Sequence, residues 1–193
     1  MSVCCIPNSY FPQDWLEAVK VQNINFYSVF SLENCIWKER SVVEKDSTIK
    51  QLIPYVLVEN NQNGFACYQR HGHEKRLLGV FSCGVGGHVE ECDKGNNLQE
   101  TLENGMFREL NEEFTDFDKS KCDISYQGII IENKTEVGLS HVGIVYHCKL
   151  KKGVVFHAAS ELLNLQYFSL DDLRTMRTEL WSQLALSLEV NNG

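Results

Sequence analysis

Runs of apolar residues that alternate with polar ones, or continue unbroken, predict six β-strands in this chain. The first covers residues 51–59, where Pro54 indicates an edge position or a bulge. A turn of asparagine and glutamine follows, and the next apolar run completes a predicted hairpin. The remaining five predicted strands are residues 64–69, 77–83, 124–132, 141–150 and 165–169.

Helical spacing predicts two long helices and one short one. Residues 98–114 repeat apolar side chains on a single face, and residues 170–188 begin with two aspartates that favour a helix N-terminus. A short helix is predicted at residues 14–21, whereas residues 24–37 fit either strand or loop. The predicted buried face of the first long helix consists of Met106, Phe107, Leu110 and Phe114. This order of elements predicts an α/β protein with a mixed sheet and helices on both of its faces.

Length and composition fit one globular domain. The chain has 193 residues, of which 43% are hydrophobic and 23% charged. Its net charge of −8 argues against binding to a nucleic-acid polymer, because a phosphate backbone requires a basic surface.

The cysteines bear on the cellular compartment. Eight of them are scattered along the chain without a C-x-x-C pair. The first residues lack the basic and long apolar regions of a signal peptide, and no apolar run reaches the length of a membrane span. We therefore expect reduced thiols, a cytoplasmic location and no membrane partner.

A dense acidic turn lies near the end of the first long helix. Glu109, Glu112 and Glu113 stand at positions i, i+3 and i+4, so a helix projects all three from one face. Their mutual repulsion is relieved by a bound cation. Ligands that offer only oxygen indicate Mg²⁺ or Mn²⁺ rather than zinc.

This segment resembles the Nudix box, G-x5-E-x7-R-E-U-x-E-E-x-G-U, in which U is a bulky apolar residue. Glu100, seven further residues and then Arg108 to Glu113 match without a gap. The box glycine corresponds to Gly87, which requires a seven-residue insertion before the helix, and Thr115 replaces the closing glycine. The resemblance implies a Nudix-like α/β/α sandwich with a mixed sheet over residues 51–193. Residues 1–50 form an N-terminal extension that adds a sheet edge, a substrate lid or a dimer contact.

The resemblance also implies a metal-dependent hydrolase that cleaves a diphosphate linkage in a nucleoside diphosphate derivative or a related small molecule. Carried over to this chain, Glu112 and Glu113 are the leading ligands of the metal, and Glu109 is a ligand or close support. Gly86 or Gly87 adds a backbone carbonyl, and Arg108 holds the carboxylates in place. On this basis Glu112→Gln is expected to abolish turnover.

Several acidic residues keep two interpretations. Glu100 is either a further carboxylate of the metal loop or, with Asn97, part of a capping box at the helix start. Glu90 either supports a metal ligand without contacting the ion itself or is an exposed loop residue. The general base of the family often lies in a loop corresponding to residues 151–164, whose only carboxylate is Glu161, and Glu136 is the alternative.

Further candidates flank the glycine loop. A solvated hairpin turn is the commoner origin of a basic cluster such as residues 70–76, although the cluster could also contact a substrate phosphate. Arg70 is the member that we favour for such a contact. His141 begins a strand near the site and is more often a histidine with satisfied hydrogen bonds than a catalytic group. The aromatic residues Tyr27, Phe30 and Trp37 could stack on a base but are more commonly core residues.

Two other functions are compatible with the same fold. One is an isomerase of isoprenoid diphosphates, which requires a catalytic cysteine, and Cys83 is the nearest to the glycine pair. The other is a non-catalytic module that senses a ligand, although such modules often lose box carboxylates that persist here.

Overall fold

The structure is a computed structural model, which describes residues 1–17, 20–22, 24–62, 64–70, 80–160 and 162–190. Its centre is one mixed β-sheet of ten strands, whose main path runs β10-β5-β4-β9-β8-β2. The strands are β1 Ser2–Pro7, β2 Lys20–Gln22, β3 Ile36–Glu39, β4 Ile49–Glu59, β5 Gly64–Arg70, β6 Phe81–Ser82, β7 Gly84–Gly86, β8 Cys122–Ile131, β9 His141–Leu150 and β10 Leu162–Ser169.

Strands β4 and β9 form the parallel pair at the middle of the sheet. Their register runs from Gln51 opposite His141 to Glu59 opposite Lys149. On its other side β4 pairs first with β1 and then with β7. Of the two positions expected for Pro54, the edge of the sheet is therefore wrong. The missing N–H is tolerated because Pro54 falls between the segments of β4 that pair with β1 and with β7.

Helices cover both faces of the sheet. The helices are α1 Gln13–Leu16, α2 Arg40–Val43, α3 Leu98–Glu113, α4 Glu136–Ser140, α5 Leu170–Thr175 and α6 Leu180–Val190. The buried side of α3 packs on the main core, which includes Leu52, Val56 and Ile144. Helix α6 packs on the opposite face with Trp181 and Ala185. The predicted α/β class with a mixed sheet between helical layers is confirmed.

Two predicted helices differ from the observed elements. The final helix is interrupted after Thr175, because Phe81 takes up hydrogen bonds with Arg177 and Glu179 that hold this stretch extended. The short helix predicted at residues 14–21 ends early, and β2 pairs with β8 instead. Of the strand predicted at residues 77–83, positions 77–79 lie outside the described residues, and β6 occupies its later part.

The first fifty residues contribute to the same sheet as the rest of the chain. Strand β1 is hydrogen-bonded to β3 and β4, and β2 extends the far edge beside β8. The boundary expected at residue 50 falls inside β4. No described helix is long and apolar enough to cross a membrane.

Candidate active site

Strand β7 carries the glycine loop to the C-terminal half of α3. It pairs with β4 so that Gly86 lies opposite Tyr55. The chain then passes directly over the carboxyl group of Glu109, where a Cβ added at Gly87 would lie 2.0 Å from the carboxyl carbon. Only glycine allows this approach without displacement of the carboxylate or of the loop. The contact joins the two halves of the acidic motif.

Arg108 fixes the carboxylates around this contact. Its Nη1 donates to Oε1 of Glu109 at 2.8 Å and to the carboxylate of Glu112 at 3.3 Å, while Nη2 donates to the carbonyl oxygen of His88 at 2.7 Å. The other edge of the guanidinium donates to both oxygens of Asp93, with Nε–Oδ1 at 3.1 Å and Nη2–Oδ2 at 3.0 Å. The planar fork of arginine suits this paired geometry. The positioning role inferred for Arg108 thus has direct contacts to support it.

Asp93 is a site residue that sequence reasoning did not identify. It lies in the insertion before α3, and its side chain is only 5% exposed. Besides binding Arg108, its Oδ2 accepts from the backbone N–H of Glu90, and its backbone carbonyl accepts from Asn104. No spacing rule marks this residue, because the insertion has no counterpart in the Nudix box.

The three glutamates of the acidic turn have different surroundings. Glu109 and Glu113 line a cavity of about 1190 Å³ together with Gly86 and Gly87. The side chain of Glu112 is 57% exposed, is turned toward Arg108 and is absent from the described lining of this cavity. The structure therefore brings Glu109, Glu113 and Gly87 together and leaves Glu112 at the rim.

The environment of Glu109 favours a cation beside it. Burial raises the pKa of this carboxyl group, Arg108 opposes the shift, and the neighbouring charges of Glu112 and Glu90 add to it. Within the described part of the chain, no group of three or more His, Cys, Asp or Glu side chains is placed to hold a metal ion. Two carboxylates with one backbone carbonyl nevertheless fit Mg²⁺, which usually keeps several waters and takes only one or two protein carboxylates.

Glu100 makes the contacts of a structural residue. Its Oε2 accepts from the backbone N–H and the side-chain amide of Asn96, both at 2.9 Å. Its own N–H donates to Oδ1 of Asn97 at 2.8 Å, which makes Asn97 the N-cap of α3. Of its two interpretations, these contacts support the structural one at the helix start.

The remaining candidates are placed less completely. Glu161 lies outside the described residues, as do residues 71–76 of the basic cluster. The backbone of Arg70 ends β5 opposite Leu162. Glu136 is exposed on α4, whose neighbouring residues Thr135 and Val137 line the cavity.

Cys83 does not reach this cavity in the described structure. Its side chain is 1% exposed in the core beneath α6, with its Sγ 2.6 Å from Sγ of Cys67. The described lining of the cavity does not include it. This placement argues against the isomerase alternative, which requires Cys83 at the substrate.

The comparisons with known proteins agree with this fold. No family model matches the chain. Protein YmaB of Bacillus subtilis is 28% identical over 92% of this chain and 94% of its own length. The solved structure of Tm1382, described provisionally as a Nudix hydrolase, superposes with a TM-score of 0.81 at 26% identity over the whole of both chains.

A more distant structure shares the fold. The Nudix domain of NrtR from Shewanella oneidensis, solved with ADP ribose, has a TM-score of 0.57 at 15% identity and covers 74% of this chain and 88% of its own. The architecture is thus that of the Nudix fold. The structural neighbours support the resemblance to the Nudix family that the acidic motif indicates.

Proposed function

We propose that this protein is a metal-dependent hydrolase of diphosphate linkages in nucleoside diphosphate derivatives. The observation that carries the proposal is the contact of Gly87 with Glu109 at a cavity that Glu113 also lines. Diphosphate cleavage requires that the charge on the phosphate oxygens is neutralised. Two carboxylates and a backbone loop at one cavity wall can hold the cation that does so.

Mg²⁺ or Mn²⁺ is the proposed cofactor. Glu109 and Glu113 would hold it, with the carbonyl of Gly87 as a third oxygen ligand. When bound, such an ion neutralises phosphate charge and acidifies a water molecule. Arg108 keeps Glu109 in place and, through Asp93, ties the helix to the loop that precedes it. The general base remains a prediction, with Glu161 first and Glu136 second.

Nucleoside diphosphate sugars are the substrates that we would test first. The NrtR domain was solved with ADP ribose, and a bifunctional NMN adenylyltransferase/ADP ribose pyrophosphatase from Francisella tularensis was solved with AMP and a manganese ion. Both share the fold at 15% identity, so they support the choice of probe for this chain and nothing finer.

A turnover screen tests the proposal. The full chain is incubated with Mg²⁺, Mn²⁺ or EDTA and with nucleoside triphosphates, dinucleoside polyphosphates, nucleotide sugars, ADP-ribose, NADH and isoprenoid diphosphates, and the products are identified by ³¹P NMR. We expect phosphomonoester products, and we expect their formation to require Mg²⁺ or Mn²⁺. Metal-dependent binding of ADP-ribose without turnover of any compound would instead favour a ligand-sensing module. Rearranged isoprenoid diphosphate without hydrolysis would favour the isomerase.

A further inference from the structure

Two histidines face each other at the cavity wall beside the glycine loop. Nε2 of His88 lies 3.2 Å from Nε2 of His141, and both residues line the cavity. His88 follows Gly87 directly, and His141 begins β9. Neither imidazole ring has a part in the hydrolytic site proposed above, although the backbone carbonyl of His88 accepts from Arg108.

The hydrogen bonds of His141 define which of its nitrogens can bind a metal. Its Nδ1 lies 2.8 Å from the carbonyl oxygen of Val137, which can only accept, so Nδ1 carries the hydrogen. Nε2 of the neutral ring then presents its lone pair to His88. A metal-binding histidine typically donates its other N–H to a backbone carbonyl in this manner.

The spacing of the two nitrogens suits one shared metal ion. With metal–nitrogen bonds of about 2.0–2.1 Å, two nitrogens at this separation subtend an angle of about 100° at the metal, close to the tetrahedral value. A direct hydrogen bond between the two rings accounts for the same distance, but it does not explain the acidic lining of the cavity.

The described lining of the cavity as a whole is acidic. Among the described lining residues of the cavity, glutamates outnumber arginines by five to one. The single arginine, Arg40, is paired with one of those glutamates, Glu44, through an Nε–Oε1 distance of 2.8 Å. The five glutamates are Glu44, Glu90, Glu109, Glu113 and Glu179.

A buried amide projects from the same face of the sheet as His141, although it is absent from the described lining of the cavity. Gln51 is the register partner of His141 on the parallel strand, so both side chains project from one face. Gln51 is 0% exposed, and neither polar atom of its amide has a hydrogen-bond partner in the described structure. Buried amides are rarely left in this state.

We propose that His88 and His141 form a binding site for a divalent first-row transition-metal ion such as Zn²⁺, distinct from the carboxylate site on α3. The two imidazoles supply two ligands, and water completes the coordination from the cavity. Imidazole nitrogen selects zinc, cobalt or nickel, whereas the carboxylates of α3 select magnesium or manganese. The site does not depend on the proposed hydrolysis.

Cobalt absorption and zinc calorimetry test this site. The full chain is prepared without a histidine tag and with its cysteines reduced, and it is titrated with Co²⁺ and Zn²⁺ as wild type, His88→Gln, His141→Gln and His157→Gln. His157 is the matched control, because its side chain is 75% exposed and bound to Asp116. We expect one equivalent of Co²⁺ with visible absorption and no thiolate charge-transfer band. Each cavity variant should weaken binding by at least about tenfold, and His157→Gln should leave it unchanged.

Three results would overturn the site. They are the absence of binding in the wild type, binding that survives both cavity substitutions, and a thiolate band showing that cysteines hold the ion. Circular dichroism identifies a variant that has lost its fold, and the other variant then decides. Glu113→Gln, titrated in parallel, should keep its zinc affinity while losing turnover, so that failure of this site and failure of the proposed hydrolysis are told apart.

Discussion

Glu112 and Glu113 are adjacent in sequence, but their side chains lie in different environments. Glu113 lines the cavity, whereas Glu112 is 57% exposed and bound to Arg108. We expect Glu113→Gln to reduce metal-dependent kcat/KM by about 10²–10³-fold, because it removes one of the carboxylates that hold the cation opposite the reacting phosphates. Glu112→Gln is the matched control and should cost about tenfold or less, since an exposed ion pair contributes little. Steady-state turnover of the best substrate measures both, and equal losses would contradict the division.

This expectation replaces the one drawn from the resemblance to the Nudix box, in which Glu112→Gln abolishes turnover. Spacing places both residues on one side of a helix but does not show which of them turns toward Arg108. The sequence motif identifies the acidic turn and its arginine correctly as neighbours. Their individual contacts depend on Gly87 and Asp93, which approach α3 from a different part of the chain.

His88 gives the stability of the protein a dependence on pH. Burial is the main reason that its pKa falls to about 4 from an ordinary value of 6.5, and Arg40 and His141 lower it further against an opposing effect of Glu44. Between pH 6.5 and 4 the unfolded chain binds a proton at this residue that the native protein does not. The free energy of unfolding should therefore fall as pH decreases through this window.

Urea unfolding in metal-free buffer at pH 7, 6, 5 and 4 measures this effect. His88→Gln should flatten the decrease, because glutamine does not titrate. The exposed His157→Gln variant, prepared in parallel, should follow the wild type. A wild-type slope retained by His88→Gln would show that other groups are responsible.

At the scale of elements, the insertion before α3 stabilises the position of that helix. Its Asp93 is buried and shares two oxygens with the guanidinium of Arg108. Asp93→Asn removes the charge while it keeps the shape, and it leaves Arg108 with a poorly matched partner. We expect a loss of about 2–3 kcal/mol in unfolding free energy and a lower turnover number. Asp123→Asn, on the exposed side of β8, should change neither quantity.

Chemical denaturation and turnover of both aspartate variants provide the measurement. Unchanged stability in Asp93→Asn would mean that the insertion does not stabilise α3. Loss of stability without loss of turnover would show that Asp93 stabilises the fold but does not contribute to catalysis.

The elements that the sequence predicted best are those with a strong local pattern. Helix α3 and strand β9 have nearly the predicted bounds, because their apolar spacing and their burial agree. The errors occur where distant partners decide. Strand β4 accepts Pro54 in a central position, and the stretch after Thr175 remains extended because it pairs with Phe81. Neither partner is visible from local sequence.

At the scale of the molecule, the N-terminal region completes the sheet and its core. Strand β1 pairs with β4, and aromatic residues from this region are buried in the main core together with α3. Burial of one large apolar side chain contributes about 1.5–3 kcal/mol, while the net stability of a domain is about 5–15 kcal/mol. The buried aromatic residues are Phe11, Trp15, Phe26 and Phe30.

A chain that lacks residues 1–47 should therefore fail to fold cooperatively. Differential scanning calorimetry should show no sharp transition for it, in contrast to the full chain. A cooperative transition in the shortened chain would show that residues 48–193 fold independently, in agreement with the boundary expected at residue 50.

The cavity joins these scales, because its walls come from the glycine loop, α3, the N-terminal region and β9. The central claim is that Glu109 and Glu113 hold a hard divalent cation there. Electron paramagnetic resonance of Mn²⁺ during titration with the protein tests it most directly. We predict that the wild type binds Mn²⁺ and that Mg²⁺ displaces it. Glu109→Gln and Glu113→Gln should each weaken Mn²⁺ binding by at least about tenfold, whereas Glu112→Gln should retain it. Absence of Mn²⁺ binding in the wild type, or wild-type affinity in Glu113→Gln, would contradict the claim.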